Sequence, residues 1–101
     1  MVIEYIRYQV PAERHDEFQS AWKTAEEILD EAPQCVGYEV SQGIEEPENF
    51  IVRLEWTSLE DHEQGFRGSL AFGRFFAAVK PFVEQIEEMR HYVEIGALAS
   101  S

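Results

Sequence analysis

The sequence predicts an α+β domain of the ferredoxin-like type. This is a βαββαβ chain whose one antiparallel sheet carries both helices on a single face. Three observations predict it. Four short stretches rich in β-branched and aromatic residues alternate with two long stretches of helical period, in the order strand, helix, strand, strand, helix, strand. The two middle strands are separated only by GIEEPEN, a turn-rich connector that makes them an antiparallel hairpin. No repeat and no linker divides the chain, so residues 1–96 form one domain and ALASS at 97–101 reads as a flexible C-terminal tail.

Residues 2–10 (VIEYIRYQV) form the first strand. Alternation puts Val2, Ile6, Tyr8 and Val10 on one face and Ile3, Tyr5 and Arg7 on the other. Large apolar groups on both faces indicate a sheet covered twice. Pro11 opens a helix running to about Ala32, since a proline at the first turn forfeits no hydrogen bond. Phe18, Trp22, Ala25, Leu29 and Ala32 make its buried stripe, while Glu26, Glu27, Asp30 and Glu31 make the wet face. Acids in the last turn oppose the helix dipole, so this end must fray or be held by tertiary contacts.

After Pro33 a strand spans Cys35–Ile44 and another spans Phe50–Trp56, the latter with Phe50, Val52, Leu54 and Trp56 on one face. Ser58 caps a short acidic helix over 59–64 that stops at Gly65. A second long helix starts after Gly68 and Ser69 and buries Phe72, Phe75, Phe76, Val79, Val83 and Ile86. Pro81 inside it predicts a kink or a fresh start. Residues 90–96 form the last strand. Ile6, Tyr8 and Ile51 cannot all stay exposed, so the sheets of two copies are expected to face each other in a homodimer.

The chain has 101 residues, 45% of them hydrophobic, with 20 acidic against 8 basic groups and a net charge of −12. That field repels phosphate backbones and anionic membranes, so neither nucleic acid nor membrane is an expected partner. One cysteine, Cys35, excludes an intramolecular disulfide. No targeting or membrane-spanning pattern stands out, and the expected location is the cytoplasm.

The candidate site lies in the stretch Trp56–Phe76 (WTSLEDHEQGFRGSLAFGRFF), where His62, Arg67 and Arg74 sit among apolar neighbours including Phe66, Phe72 and Phe76. A few polar groups inside an apolar lining suit a small-molecule pocket, although a helical hairpin that merely roofs the sheet has the same look. His62 is the natural base, and the acids around it (Glu60, Asp61, Glu63) should keep it basic. His91 and His15 rank behind it. Arg67 and Arg74 suit an oxyanion, or pair with surface carboxylates. Arg7 could point into the cavity, and Tyr5, Tyr38 and Trp22 could supply hydrogen bonds or a stacking surface. The three histidines are not at metal-ligand spacing, so no metal is expected. Nucleotide-binding and nucleophile-elbow patterns are absent.

Pro33-Gln34-Cys35-Val36-Gly37-Tyr38, the strand ending at Trp56, and Phe66-Arg67-Gly68-Ser69-Leu70-Ala71-Phe72 together resemble the antibiotic biosynthesis monooxygenase (ABM) superfamily of dimeric α+β barrels. The likeness spans about Val2 to Ile95. It implies a pocket between the sheet and the two helices of each subunit. It also implies, in many members, cofactor-independent oxidation of hydroquinone- or anthrone-like aromatics by O2. Haem-degrading members look to an asparagine, a tryptophan and a histidine where this chain has Arg7 or a neighbour, Phe66 and Phe76. Without that histidine iron has no axial ligand. Quinol-oxidising relatives often carry histidine at the places of Phe66 and Ala71. The expectation is a monooxygenase with Arg67, His62 and Arg7 handling charge; the alternative is a dimeric small-molecule-binding or accessory module without turnover.

Overall fold

The computed structural model describes residues 1–96, so the expected tail at 97–101 lies outside the described residues. Four strands, β1 (Val2–Gln9), β2 (Cys35–Gln42), β3 (Asn49–Trp56) and β4 (Ile86–Val93), form one sheet in the order β2-β3-β1-β4. Every neighbouring pair is antiparallel. Helices α1 (His15–Asp30) and α2 (Leu70–Val79) complete the ferredoxin-like α+β architecture.

The core lies between the sheet and the helices. Ile6 and Tyr8 of β1, with Val10 just beyond it, meet Phe50, Val52, Leu54 and Trp56 of β3 on the inner face. Phe18, Trp22, Ala25, Ile28 and Leu29 of α1 close over them. Ile6 and Tyr8 are therefore covered by this chain's own helices. The apolar groups left on the outer face are Tyr5, Ile51 and Tyr92, with Ile3 largely buried beside them. Tyr5 meets Tyr92 edge-on at 5.5 Å, so even this face is partly organised.

The acids at the end of α1 are held by tertiary contacts. Tyr38 donates its hydroxyl to Asp30 at 2.6 Å, and Arg74 donates to Glu31 at 3.2 Å. Pro11 is followed by a 3-10 turn, Ala12–Arg14, before α1 begins. Pro81 marks a change of helix type, with α2 ending at Val79 and a 3-10 segment running over Lys80–Gln85.

Two of the boundaries that differ from the expected ones bear on the site. The short helix after Ser58 does not stop at Gly65 but widens into a π-helical turn over Asp61–Phe66. The last strand begins at Ile86 rather than at residue 90, because the helical spacing of Val79, Val83 and Ile86 ends in the 3-10 segment. Ile86 and Met89 thereby join the sheet.

Candidate active site

Between the inner sheet face and α2 lies a cavity of about 410 Å³, within the size range of small-molecule sites. Its walls are almost wholly apolar: Ile6, Tyr8, Leu54 and Trp56 from the sheet, Trp22 from α1, and Phe72, Phe75, Phe76 and Val79 from α2. Glu4, His62 and Arg67 supply the charge-bearing groups in this lining.

The π-helical turn presents two of these groups. Ser58 accepts the Asp61 N–H at 2.9 Å and caps the helix start. The Arg67 N–H then donates to the His62 carbonyl at 3.1 Å, the i to i+5 step of a π turn. This wider turn buries both His62 and Phe66 and leaves Arg67 exposed on the rim. Gly68 ends the segment in a place a side chain could not take, since a Cβ there would stand 2.6 Å from the Gln64 carbonyl oxygen.

His62 is 4% exposed. Its ring stacks on Trp56 at 4.2 Å between centroids, and its Nδ1 lies 2.9 Å from His91 Nε2. One of these nitrogens must donate and the other accept. His62 Nε2 stands 3.6 Å from Glu4 Oε1, and His91 Nε2 stands 3.8 Å from Glu4 Oε2. Glu4 is buried and accepts the Trp56 indole N–H at 3.1 Å. The β1–β4 register pairs Glu4 directly with His91, which sets two corners of this triangle on adjacent strands.

Burial governs the protonation of the group. Desolvation, then the nearby Arg67 and His91, lowers His62 from 6.5 to about 4. The acids flanking His62 in sequence do not keep it basic, because they sit on the exposed side of the turn. Burial likewise raises Glu4, against the Trp56 hydrogen bond and the charges of His91 and Arg67. At neutral pH the His62 imidazole is therefore uncharged. The folded chain binds a proton there less readily than the unfolded chain does. The stability His62 contributes is thus complete above pH 6.5 and lost as the pH falls toward 4. In urea titrations across that window, wild type is expected to lose more stability than His62→Gln. Parallel losses in the two proteins would contradict this.

Of the residues expected at the site, His62, Arg67, Trp22, Phe66, Phe72 and Phe76 line the cavity. Trp22 is buried, and its indole N–H has no hydrogen-bond acceptor among the described residues. Arg7 and Tyr5 are not brought to the cavity. Residues 4, 6 and 8 of β1 face inward, so 5 and 7 face outward, where the Tyr5 hydroxyl accepts the Arg53 Nε–H at 3.3 Å. Tyr38 is engaged with Asp30 away from the cavity. Arg74 lies on the surface with Glu31, both more than half exposed. Such a pair stabilises little, and Arg74→Ala is expected to shift thermal stability by less than about 1 kcal/mol.

Glu4 and His91 complete the group with His62, and the sequence reading did not assemble it. Alternation along β1 places position 4 with Ile6 and Tyr8, so an acid in that register was the available signal. In the sequence His91 ranks only behind His62. In space His62, His91 and Glu4 each offer a donor atom within 4.8 Å of the others, a grouping that spacing along the chain does not show.

The fold and this chamber define a class, small α+β proteins that enclose an apolar cavity between sheet and helices with proton-handling groups on its wall. The profile of the family described as Antibiotic biosynthesis monooxygenase matches residues 1–78, and the chain belongs to that family. It is 26% identical over 95 residues to the uncharacterized protein YczJ of Bacillus subtilis (strain 168), covering 94% of this chain and 100% of that one. Among solved structures it is similar to SnoaB, a cofactor-independent oxygenase from Streptomyces nogalater, with a TM-score of 0.78 at 17% identity over 98% of this chain and 97% of that one. It is also similar to the ActVA-Orf6 monooxygenase of Streptomyces coelicolor, solved in complex with Nanaomycin D, with a TM-score of 0.76 at 14% identity over 99% and 92%. A conserved protein from Methanosarcina mazei Go1 aligns with a TM-score of 0.72 at 26% identity over 90% and 89%. Family membership supports a monooxygenase-type function. Among the described residues no helix is long and apolar enough to cross a membrane.

Proposed function

We propose that the chain oxidises a small aromatic, hydroquinone- or anthrone-like, with O2, using its own side chains in place of a flavin or haem. The observation that carries this reading is the Glu4–His62–His91 group, with Glu4 and His62 buried, beside an otherwise apolar cavity with Arg67 at its rim. Dioxygen is a ground-state triplet and reacts slowly with closed-shell organics. The protein's task is therefore to make the substrate an electron donor. His62 takes a proton from a phenol or an acidic C–H, with Glu4 beside it to balance the imidazolium, and Arg67 offsets the charge left on the substrate oxygen. The dry, aromatic wall raises the energy of that anion and favours electron transfer to O2. For an anthrone-like methylene the balance is CH2 + O2 → C=O + H2O, with all electrons supplied by the substrate.

The test is oxygen uptake across a hydroquinone and anthrone panel, with 18O2 traced into the product. Protein-dependent uptake and label in the product are expected. Equal rates with and without the protein overturn the reading. A compound taken up anaerobically and released unchanged in air would instead assign a binding module.

The outer sheet face is proposed as the homodimer interface. Tyr5, Ile51 and Tyr92 are each 37–48% exposed there, and a second sheet would cover them. Light scattering at micromolar concentration is expected to give about twice the 11.7 kDa chain mass, and a monomeric mass would remove the dimer.

A further inference from the structure

We infer that Glu4, His62 and His91 form a binding site for a single divalent transition-metal ion at the wall of the cavity. Two imidazoles and one carboxylate are a donor set for borderline ions such as Zn²⁺, Co²⁺ or Fe²⁺, whereas Mg²⁺ and Ca²⁺ prefer oxygen alone. The spacing suits them. Donors held at ~2.1 Å around a tetrahedral ion stand roughly 3.4 Å apart. The three contacts here are 2.9 Å between His62 and His91, 3.6 Å between His62 and Glu4, and 3.8 Å between His91 and Glu4. His62 turns Nδ1 to His91 and Nε2 to Glu4, so an ion takes one of the two, and with one donor atom from each residue all three lie within 4.8 Å of one another.

The surroundings support the ligands as outer-shell partners do. Trp56 donates its indole N–H to Glu4 and stacks its ring on His62, fixing two of the three donors. Glu4 and His62 are both more than nine-tenths buried, which spares the site competition from bulk water. His91 is partly exposed on the edge strand β4, leaving an entry path. Arg67 carries a positive charge near the site and opposes a dication. It lies exposed on the rim, where solvent screens it, and the net charge of −12 draws cations toward the chain. Proton transfer and metal coordination use the same lone pairs. The metal-bound and metal-free pockets are therefore two states of one site, and metal binding can be read without any turnover.

The full chain, stripped with chelator, is titrated with Co²⁺ while visible ligand-field bands and bound metal per chain are measured. One tightly held ion per chain with the spectrum of nitrogen coordination is expected. His91→Ala and Glu4→Gln should each weaken it by at least about 10–100-fold, the loss that even outer-shell changes cause. Glu27→Gln, on the exposed face of α1, should leave it unchanged. As a measurement free of variants, Zn²⁺ should raise the wild-type melting temperature and Mg²⁺ should not, because a ligand of the folded state alone stabilises it. Retention of no ion, or an oxygen-only spectrum indifferent to His91→Ala, would show surface carboxylates at work and overturn the site. Neither result bears on oxygen uptake by the metal-free protein.

Discussion

His62→Gln is expected to lower kcat for an aromatic substrate by about 10²–10⁴-fold, the contribution of a positioned general base. Glutamine nearly fills the imidazole's volume and keeps a polar group toward Glu4 and His91, so the fold should survive; circular dichroism and urea midpoints check that. KM should change far less than kcat, because the apolar walls that hold the substrate are untouched. The split separates a proton-transfer role from a binding role. Retained kcat in His62→Gln would remove the base from the proposal and leave a hydrophobic container.

Trp56→Ala is expected to destabilise the domain by about 3–5 kcal/mol, as large-to-small changes at buried aromatics do. Trp56 is 1% exposed and packs on both His62 and Phe66. Truncation would open a void under the cavity and also leave Glu4 without its indole donor. Against a total stability of ~5–15 kcal/mol, that brings the chain toward the unfolding threshold. Trp56→Phe keeps most of the packing and removes the N–H, so it should cost about 1–3 kcal/mol through the unsatisfied carboxylate. Urea titration of both variants measures the two contributions separately. A near-neutral Trp56→Ala would mean the cavity floor does not bear on the fold.

These expectations follow from a group that was only partly visible in the chain. His62 could be singled out, because a histidine in an acidic stretch next to aromatics is conspicuous. Its protonation could not, since the acids beside it in sequence face solvent while the burial that lowers its pKa comes from other elements. Glu4 was legible from strand alternation, as it shares a face with Ile6 and Tyr8. The same alternation placed Arg7 beside Tyr5, and the structure keeps both on that shared face, turned away from the cavity. Which of the two faces meets the helices is a fact about packing that a single strand does not carry. His91 lies in the stretch that reads as the last strand, but its place opposite Glu4 comes from the β1–β4 register, which no local pattern carries.

By itself the sequence determined the order of the elements, the antiparallel hairpin, the apolar stripe of α1 and membership of the ABM family, because hydrophobic period and turn residues are local properties. The tertiary structure alone decided what lines the chamber. Glu4, His62 and His91 come from β1, the π-helical turn and β4, and they become neighbours only through strand register and the packing of that turn beneath Trp56. Distances between residues 29 and 58 positions apart are set by the closed fold, and no local pattern encodes them.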